Sequence, residues 1–115
     1  MVTVNFCISE DGKSLILNVT GHAGQNDIGK DIVCSATSIL AYTVAQVACD
    51  MYRCKKLKKN PTIEMESGNA NIVVKPLKDT FDEALHTFYV AETGYRLLAH
   101  NYPQYVQLNG FDRGN

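Results

Sequence analysis

The sequence has no excess of charge of either sign. Its 115 residues contain 11 Lys and Arg against 12 Asp and Glu, which gives a formal net charge of −1. Proteins that bind nucleic acid or anionic membranes usually carry a strongly basic surface. We therefore expect no direct contact with nucleic acid and no membrane partner.

A long apolar run and a secretory signal are also missing. We expect no apolar stretch to reach the length that is needed to span a bilayer. The first six residues lack the basic flank and the long apolar core of a signal peptide. These absences predict a cytoplasmic protein.

The four cysteines include no Cys-x-x-Cys pair, and no convergent set of zinc ligands accompanies them. We expect free thiols in a reducing compartment, and neither a metal nor another cofactor. Cys7 and Cys49 are expected to be small buried hydrophobes.

The chain does contain enough apolar material for one modest core. Hydrophobic residues make up 45% of it, and there is no repeat, linker or low-complexity segment. A single domain over residues 1–115 is the simplest organisation.

The first half of the chain predicts a β-hairpin followed by a long helix. Residues 2–8 and 14–20 alternate apolar and polar side chains, and Asp11-Gly12 between them is a turn signal. From Ile32 to about Leu57, small and apolar residues suit a helix that is buried on more than one side.

The second half predicts another hairpin and another helix. Residues 62–66 and 71–75 are typical of strands around a turn at Ser67-Gly68-Asn69. Residues 80–101 predict a helix with Asp79 or Thr80 as its N-cap, and residues 105–108 predict a short final strand. The order ββαββα, with a further terminal β, predicts an α+β fold in which two long helices pack on a mostly antiparallel sheet.

Two residues suited to acyl transfer flank a glycine-rich loop. His22 begins this loop, and Cys34 follows it in the first turn of the predicted helix if Asp31 is the N-cap. Free backbone N–H groups at a helix start favour a thiolate and could hold the oxyanion of a tetrahedral intermediate. An imidazole can take the thiol proton and return one to the leaving amine. The pair therefore predicts a Cys-His dyad.

Two further residues can support this chemistry. Ser38 lies one helical turn after Cys34 on the same face, where it could orient the imidazole or contact substrate. Asp31 either caps the helix or orients His22, because one carboxylate cannot easily do both.

The sequence resembles the ribosomal-processing cysteine protease family (Prp) in two joined segments. These are Gly21-His22-Ala23 and Gly29-Lys30-Asp31-Ile32-Val33-Cys34-Ser35-Ala36, the second followed by Ser38. The element order, the length and the segment Glu92-Thr93-Gly94-Tyr95 are also similar to that family, across essentially the whole chain.

The resemblance implies a cysteine endopeptidase that removes the N-terminal extension of a large-subunit ribosomal protein precursor. It makes Cys34 the nucleophile and His22 the base, with Gly21, Asp31 and Ser38 as supporting active-site positions. It also implies a homodimer, and a loop between His22 and Cys34 that moves when the substrate peptide binds.

Two other functions fit parts of the sequence. The stretch from Gly24 to Asp31 has the Gly-x4-Gly-Lys spacing of a phosphate-binding loop, but Asp31 replaces the Ser or Thr that would bind Mg²⁺. The main alternative is a non-enzymatic, ribosome-associated binding module, in which lysines at positions 55, 56, 58 and 59 would contact RNA or protein. We favour a simpler interpretation, in which these cations complement the dipole at the end of a helix.

Overall fold

The alternation of apolar and polar residues builds a five-stranded sheet with one buried face. The computed structural model describes residues 1–22 and 28–111, and of residues 28–30 the backbone alone. Its strands are β1 (Val2–Ile8), β2 (Leu15–Thr20), β3 (Thr62–Glu66), β4 (Asn69–Val74) and β5 (Val106–Asn109). They lie in the order β3-β4-β2-β1-β5. Neighbouring strands are antiparallel, except that β1 and β5 are parallel.

The register places the apolar side chains of neighbouring strands next to each other. Leu17 of β2 lies opposite Phe6 of β1 and opposite Ile72 of β4, and all three are buried. The next residues along the strands point to the other face, where Asn5 lies opposite Asn18. One face of the sheet therefore forms the core, and the other face is polar.

Two helices cover the buried face. These are α1 (Ile28–Arg53) and α2 (Phe81–Asn101), and a 3-10 turn at Lys78–Thr80 precedes α2. Buried residues of α1 recur every three or four positions, as expected for a helix with one face on a core: Val33, Thr37, Ala41, Val44, Ala48 and Met51, with Ala45 buried beside them. The order ββαββαβ confirms the predicted α+β fold, with two long helices on a mostly antiparallel sheet.

By length and composition alone, α1 is long and apolar enough over Asp31–Arg53 to cross a membrane. The expectation that no apolar stretch reaches this length is therefore wrong, because alanine, valine and isoleucine outweigh the scattered polar residues of this helix. Its buried stripe packs against the sheet and α2, which is the arrangement of a core helix.

The predicted start of α1 is also wrong. The prediction began the helix at Ile32 with Asp31 as N-cap, whereas α1 begins at Ile28 and Asp31 is its fourth residue. Gly29 therefore lies inside α1, where a glycine costs a helix only about 1 kcal/mol relative to alanine. A helix of 26 residues with a buried face compensates for that cost.

The end of α1 differs from the prediction as well. The helix ends at Arg53 rather than near Leu57. Lys55 adopts a left-handed backbone conformation with φ 62°, which an α-helix cannot continue through. Leu57 is buried instead and pairs with Pro76 in an isolated bridge.

One smaller prediction is right in position only, and another is wrong. Thr80 stands at the N-cap position of α2, but its hydroxyl donates to the backbone carbonyl of Lys56 and makes no capping bond. Cys7 is exposed because it lies on the polar face of the sheet, and Cys49 is only half-buried. All four cysteines are free thiols.

A buried carboxylate holds the end of the described chain against α2. Glu92 accepts a hydrogen bond of 2.7 Å from the backbone N–H of Phe111 and one of 2.8 Å from Arg96. The ring of Phe111 then lies 5.3 Å from that of Phe6. The residues after β5 therefore pack against the aromatic side chains that lie between β1 and α2.

Candidate active site

A cleft of about 290 Å³ lies between the first half of α1 and one end of the sheet. At this end β2 stops and β3 turns into β4. The cleft brings together His22 from the sheet side and Cys34 and Ser38 from α1. Its described lining also includes Gly21, Thr37, Tyr42, Met65 and Gly68.

The backbone around His22 is held by two hydrogen bonds. The N–H of Gly21 donates to the carbonyl of Gly68 over 2.9 Å, and the amino group of Met1 donates to the carbonyl of His22 over 2.7 Å. Gly21 has a φ of 96°, and a Cβ there would overlap the carbonyl oxygen of Met1. A glycine at position 21 therefore lets β1 and the residues after β2 approach closely.

The turn between β3 and β4 supports the imidazole of His22. Gly68 has a φ of 77°, which favours glycine, and a Cβ there would overlap Nε2 of His22. The absence of a side chain at Gly68 thus leaves the space that the imidazole occupies. In this way a hairpin that is distant in sequence helps to place the imidazole in the cleft.

The thiol of the candidate dyad comes from α1. Cys34 is half-buried, and Ser38 is exposed one helical turn later. Both residues line the cleft, as the helical spacing predicts for positions i and i+4. The structure thus brings four of the predicted site residues, Gly21, His22, Cys34 and Ser38, to one cleft.

The predicted oxyanion donors at the helix start are not next to Cys34. Since α1 begins at Ile28, Cys34 is the seventh helical residue. Only the backbone N–H groups of the first turn lack partners within a helix, and the N–H of Cys34 lies beyond that turn. The influence of the helix dipole falls off within that first turn. The expected effect of the helix start on Cys34 is therefore weaker, and the proposed dyad depends mainly on His22.

Asp31 does not line the cleft with the others. It is exposed in the first turn of α1 and borders a separate shallow groove with Ile32, Ser35 and Ile39. An acidic residue at this position stabilises the helix start through the dipole. The proposal that Asp31 orients His22 stays a prediction.

Sequence reasoning missed two parts of the cleft wall. The turn at Ser67-Gly68 was predicted as a turn, but nothing in the local sequence connects it with His22. Thr37 was not singled out, although it lies between the two predicted site residues of α1. Both contacts depend on long-range packing rather than on local spacing.

Two sequence predictions concern residues that the structure leaves out. The phosphate-binding-loop spacing begins at Gly24, and residues 23–27 lie outside the described part of the chain. The predicted movement of the loop between His22 and Cys34 concerns the same residues.

Among the described residues, no three His, Cys, Asp or Glu side chains form a group that could hold a metal ion.

Comparison with known proteins agrees with this architecture. The sequence matches the family described as Cysteine protease Prp over residues 1–107. The chain belongs to this family. The Prp prediction and the assignment to cysteine proteases are thereby confirmed.

The individual relatives are distant. The ribosomal processing cysteine protease Prp of Staphylococcus aureus is 20% identical over 109 residues, which cover 95% of this chain and 98% of the relative. A crystal structure of the S. aureus protease with a substrate peptide has a TM-score of 0.62 at 20% identity, and covers 96% of this chain and 99% of that one. A Streptococcus mutans structure has a TM-score of 0.61 at 21% identity, with 96% and 94% covered. At these identities the structural likeness establishes a shared fold.

Proposed function

We propose that this Prp-family protein is a cysteine endopeptidase that removes the N-terminal extension of a large-subunit ribosomal protein precursor. Cys34 is the nucleophile and His22 the general base in this proposal. The observation that carries it is the shared cleft, which receives an imidazole from the sheet and a thiol from α1. We further propose that residues 1–115 form one protease domain and that it acts in the cytoplasm.

The reaction follows the chemistry of a thiol and an imidazole. His22 takes the proton of Cys34, and the thiolate attacks the scissile carbonyl carbon to form a tetrahedral intermediate. The intermediate expels the amine, which receives the proton from the imidazolium, and a thioester to Cys34 remains. Water then attacks the thioester with His22 again as base, and this step releases the extension peptide and the free thiol.

The remaining site residues have supporting roles. Ser38 lies next to Cys34 along the cleft, where its hydroxyl can orient the imidazole or contact the substrate backbone. Gly21 permits the close approach that holds the His22 backbone. Asp31 acts from outside the cleft, by stabilising the start of the helix that carries Cys34.

An extended peptide is the substrate class that the cleft suits. It is open along the β3–β4 turn and lined by both polar and apolar side chains, such as Tyr42, Met65 and Asn69. A homologue from S. aureus has been crystallised with a substrate peptide. By analogy we propose that the N-terminal segment of the ribosomal protein occupies the cleft beside Cys34.

Exposed apolar side chains on the outer helix faces support a homodimer. Ile32 and Ile39 of α1 are 46% and 62% exposed, and Leu97 of α2 is 61% exposed. Ala36 lies between them, because it borders both the groove with Ile39 and the groove with Leu97. Such a contiguous patch on a small protein marks an interaction surface. We propose that a second copy of the chain covers it.

The test is incubation of the protein with the full-length ribosomal protein precursor, followed by mass spectrometry of the products. We expect one internal cleavage near the N-terminus of the precursor. Cys34→Ala, Cys34→Ser and His22→Ala should keep the fold, by circular dichroism and denaturation, and abolish the cleavage. Cleavage by the folded Cys34→Ala protein would remove Cys34 as the nucleophile, and binding of the precursor without any cleavage by the unmodified protein would favour the non-enzymatic module.

A further inference from the structure

Tyr95 connects three elements behind the cleft, namely the sheet, α1 and α2. It belongs to α2 and is fully buried. Its ring lies edge-on to Phe6 of β1, with centroids 5.8 Å apart. Its hydroxyl donates a hydrogen bond of 2.9 Å to the backbone carbonyl of Thr37 in α1. One side chain thus touches the sheet and both helices.

Thr37 extends this connection to Cys34. The hydroxyl of Thr37 donates to the backbone carbonyl of Cys34 over 3.0 Å. Thr37 is buried, 6% exposed, yet it contributes to the wall of the cleft between Cys34 and Ala41. Two hydrogen bonds therefore connect Tyr95 with the backbone of Cys34. The first uses the backbone carbonyl of Thr37, and the second uses its hydroxyl.

The placement of the thiol depends on α2 because the two members of the dyad come from different layers. His22 is held on the sheet by Gly21 and Gly68, whereas Cys34 moves with α1. The contact of α1 with α2 is more extensive than its contact with any strand. A rotation or shift of α1 on α2 would therefore move Cys34 relative to His22.

The sequence around Tyr95 allows the helices to approach closely at this level. A Cβ at Gly94 would lie 2.9 Å from Cδ2 of Leu40 in α1. Glycine at position 94 thus lets α1 settle against α2 within one turn of Thr37. The close approach at Gly94 and the hydrogen bond of Tyr95 thus involve the same segment of α1, residues 37–40.

We propose that Tyr95 is a positioning residue, which acts through Thr37 to hold Cys34 at the rotation and distance that proton transfer to His22 requires. This inference rests on the proposed function, because it takes Cys34 as the nucleophile. Tyr95 contacts neither substrate nor the reacting atoms in this proposal. The proposal gives Gly94 and Tyr95, the last two residues of the segment Glu92-Thr93-Gly94-Tyr95, a role that the dyad alone does not explain.

The experiment compares variants that remove single hydroxyls. Tyr95→Phe and Thr37→Val each delete one of the two hydrogen bonds, while Thr37→Ser keeps the hydroxyl. Thr43→Val is the matched control: the hydroxyl of Thr43 also donates to a carbonyl of α1, that of Ile39 at 2.7 Å, but it is exposed and not part of the cleft lining. Tyr89→Phe controls for loss of a tyrosine hydroxyl from α2.

We expect Tyr95→Phe and Thr37→Val to lower kcat about tenfold or more with KM nearly unchanged, since a misplacement of the order of 1 Å can cost up to about a hundredfold in rate. Alkylation of Cys34 by iodoacetamide, resolved by peptide mass spectrometry, should slow to a similar extent. Thr37→Ser should restore most of both rates. The double variant should lose no more than either single one, because the two bonds act in series.

Wild-type kcat and wild-type alkylation of Cys34 in Tyr95→Phe would overturn the positioning role. An equal loss in Thr43→Val would show that any helix-surface hydroxyl has this effect, and would overturn it as well. If Tyr95→Phe does not fold, Thr37→Val against Thr37→Ser tests the second bond, through which Tyr95 would act. Wild-type kcat and wild-type alkylation of Cys34 in Thr37→Val would then overturn the positioning role. An active Cys34→Ala protein would instead refute the proposed function, so the two failures are distinguishable.

Discussion

The two ends of the sheet are built from similar elements but present different chemistry. At one end, the β3–β4 turn meets the residues after β2 and the first half of α1, and these form the cleft with His22 and Cys34. At the other end, the N–H of Lys58 donates to the carbonyl of Lys75, which joins the segment after α1 to the end of β4. The exposed lysines of this second end are Lys13, Lys55, Lys58, Lys59 and Lys78.

The ends differ in how tightly their functional groups are held. At the cleft end, backbone hydrogen bonds and two glycines with positive φ fix the position of an imidazole. At the lysine end the charges extend into solvent, and the ion pair of Lys56 with Glu83, at 2.7 Å, joins side chains that are 39% and 51% exposed. Exposed pairs of this kind contribute little to stability. The comparison agrees with the proposal that catalysis takes place at the first end, and with the interpretation that the lysines at the second end complement the dipole of a helix terminus.

A pair of glycines allows the most demanding test of this difference. Gly68 and Gly12 both have positive φ in hairpin turns, at 77° and 73°, one at each end of the sheet. A Cβ at Gly68 would overlap the imidazole of His22, whereas nothing lies within 4 Å of one at Gly12. We expect Gly68→Ala to lower the rate of precursor cleavage about a hundredfold, by displacing the imidazole. Gly12→Ala should keep the rate.

Denaturation in urea supplies the control for that comparison. Both variants should lose about 1–2 kcal/mol of unfolding free energy, because alanine is strained in a left-handed conformation. An equal loss of activity in both would mean that general destabilisation, rather than the position of His22, explains the effect.

The rates at which the cysteines are alkylated also distinguish the two ends, and here the expected difference is smaller. Cys54 at the lysine end and Cys7 on the polar sheet face are exposed, while Cys34 is half-buried. Exposure alone would make Cys34 slower than these two. We expect Cys34 to be alkylated about tenfold faster than Cys7, Cys49 and Cys54 near neutral pH, because in the proposed dyad His22 acts as its base. His22→Ala should remove the advantage, and equal rates for all four thiols in the folded protein would contradict the activation.

The smallest effect is expected at alkaline pH. Burial raises the pKa of Tyr95, and the hydrogen bond to Glu83 raises the pKa of Lys56. A raised pKa in the fold means that the protonated form is preferred there. The stabilisation is therefore complete below about pH 10, near the ordinary values of both groups, and is lost as the pH rises further.

Urea midpoints between pH 8 and 11 measure this loss. Tyr95→Phe should flatten the decline more than Lys56→Gln, because the tyrosine is buried and the lysine pair is open to solvent. A larger change in Lys56→Gln would show that the ion pair at the lysine end matters more than its exposure suggests.

Local patterns were sufficient for most of the fold. The alternation of residues 2–8 and the Asp11-Gly12 turn predicted β1 and the first hairpin correctly, because side chains in a strand alternate between two faces. The helix termini were less predictable. Gly29 lies inside α1 although glycine disfavours helices, because burial of a long helix face outweighs about 1 kcal/mol. Lys55 favours helices by propensity, yet it adopts a left-handed conformation after α1, and Leu57 beyond it is buried and pairs with Pro76.

The candidate site was predictable only in part. His22, Cys34 and Ser38 stood out because their residue types and spacing suit acyl transfer, and the fold brings them to one cleft. Gly68 and Tyr95 could not be connected with them from the sequence. They lie 46 and 61 positions from His22 and Cys34, respectively, in the printed sequence, and only strand pairing and helix packing bring them near.

The sequence by itself determined the order of strands and helices and the residue types available for chemistry, because both depend on side-chain periodicity and on functional groups a few positions apart. The tertiary structure decided where α1 begins relative to Cys34, which turn leaves room for the imidazole of His22, and which buried hydroxyl reaches the helix that carries Cys34. All three features depend on how the two helices pack against the sheet and against each other. The packing of whole layers sets that arrangement, and no short segment encodes it.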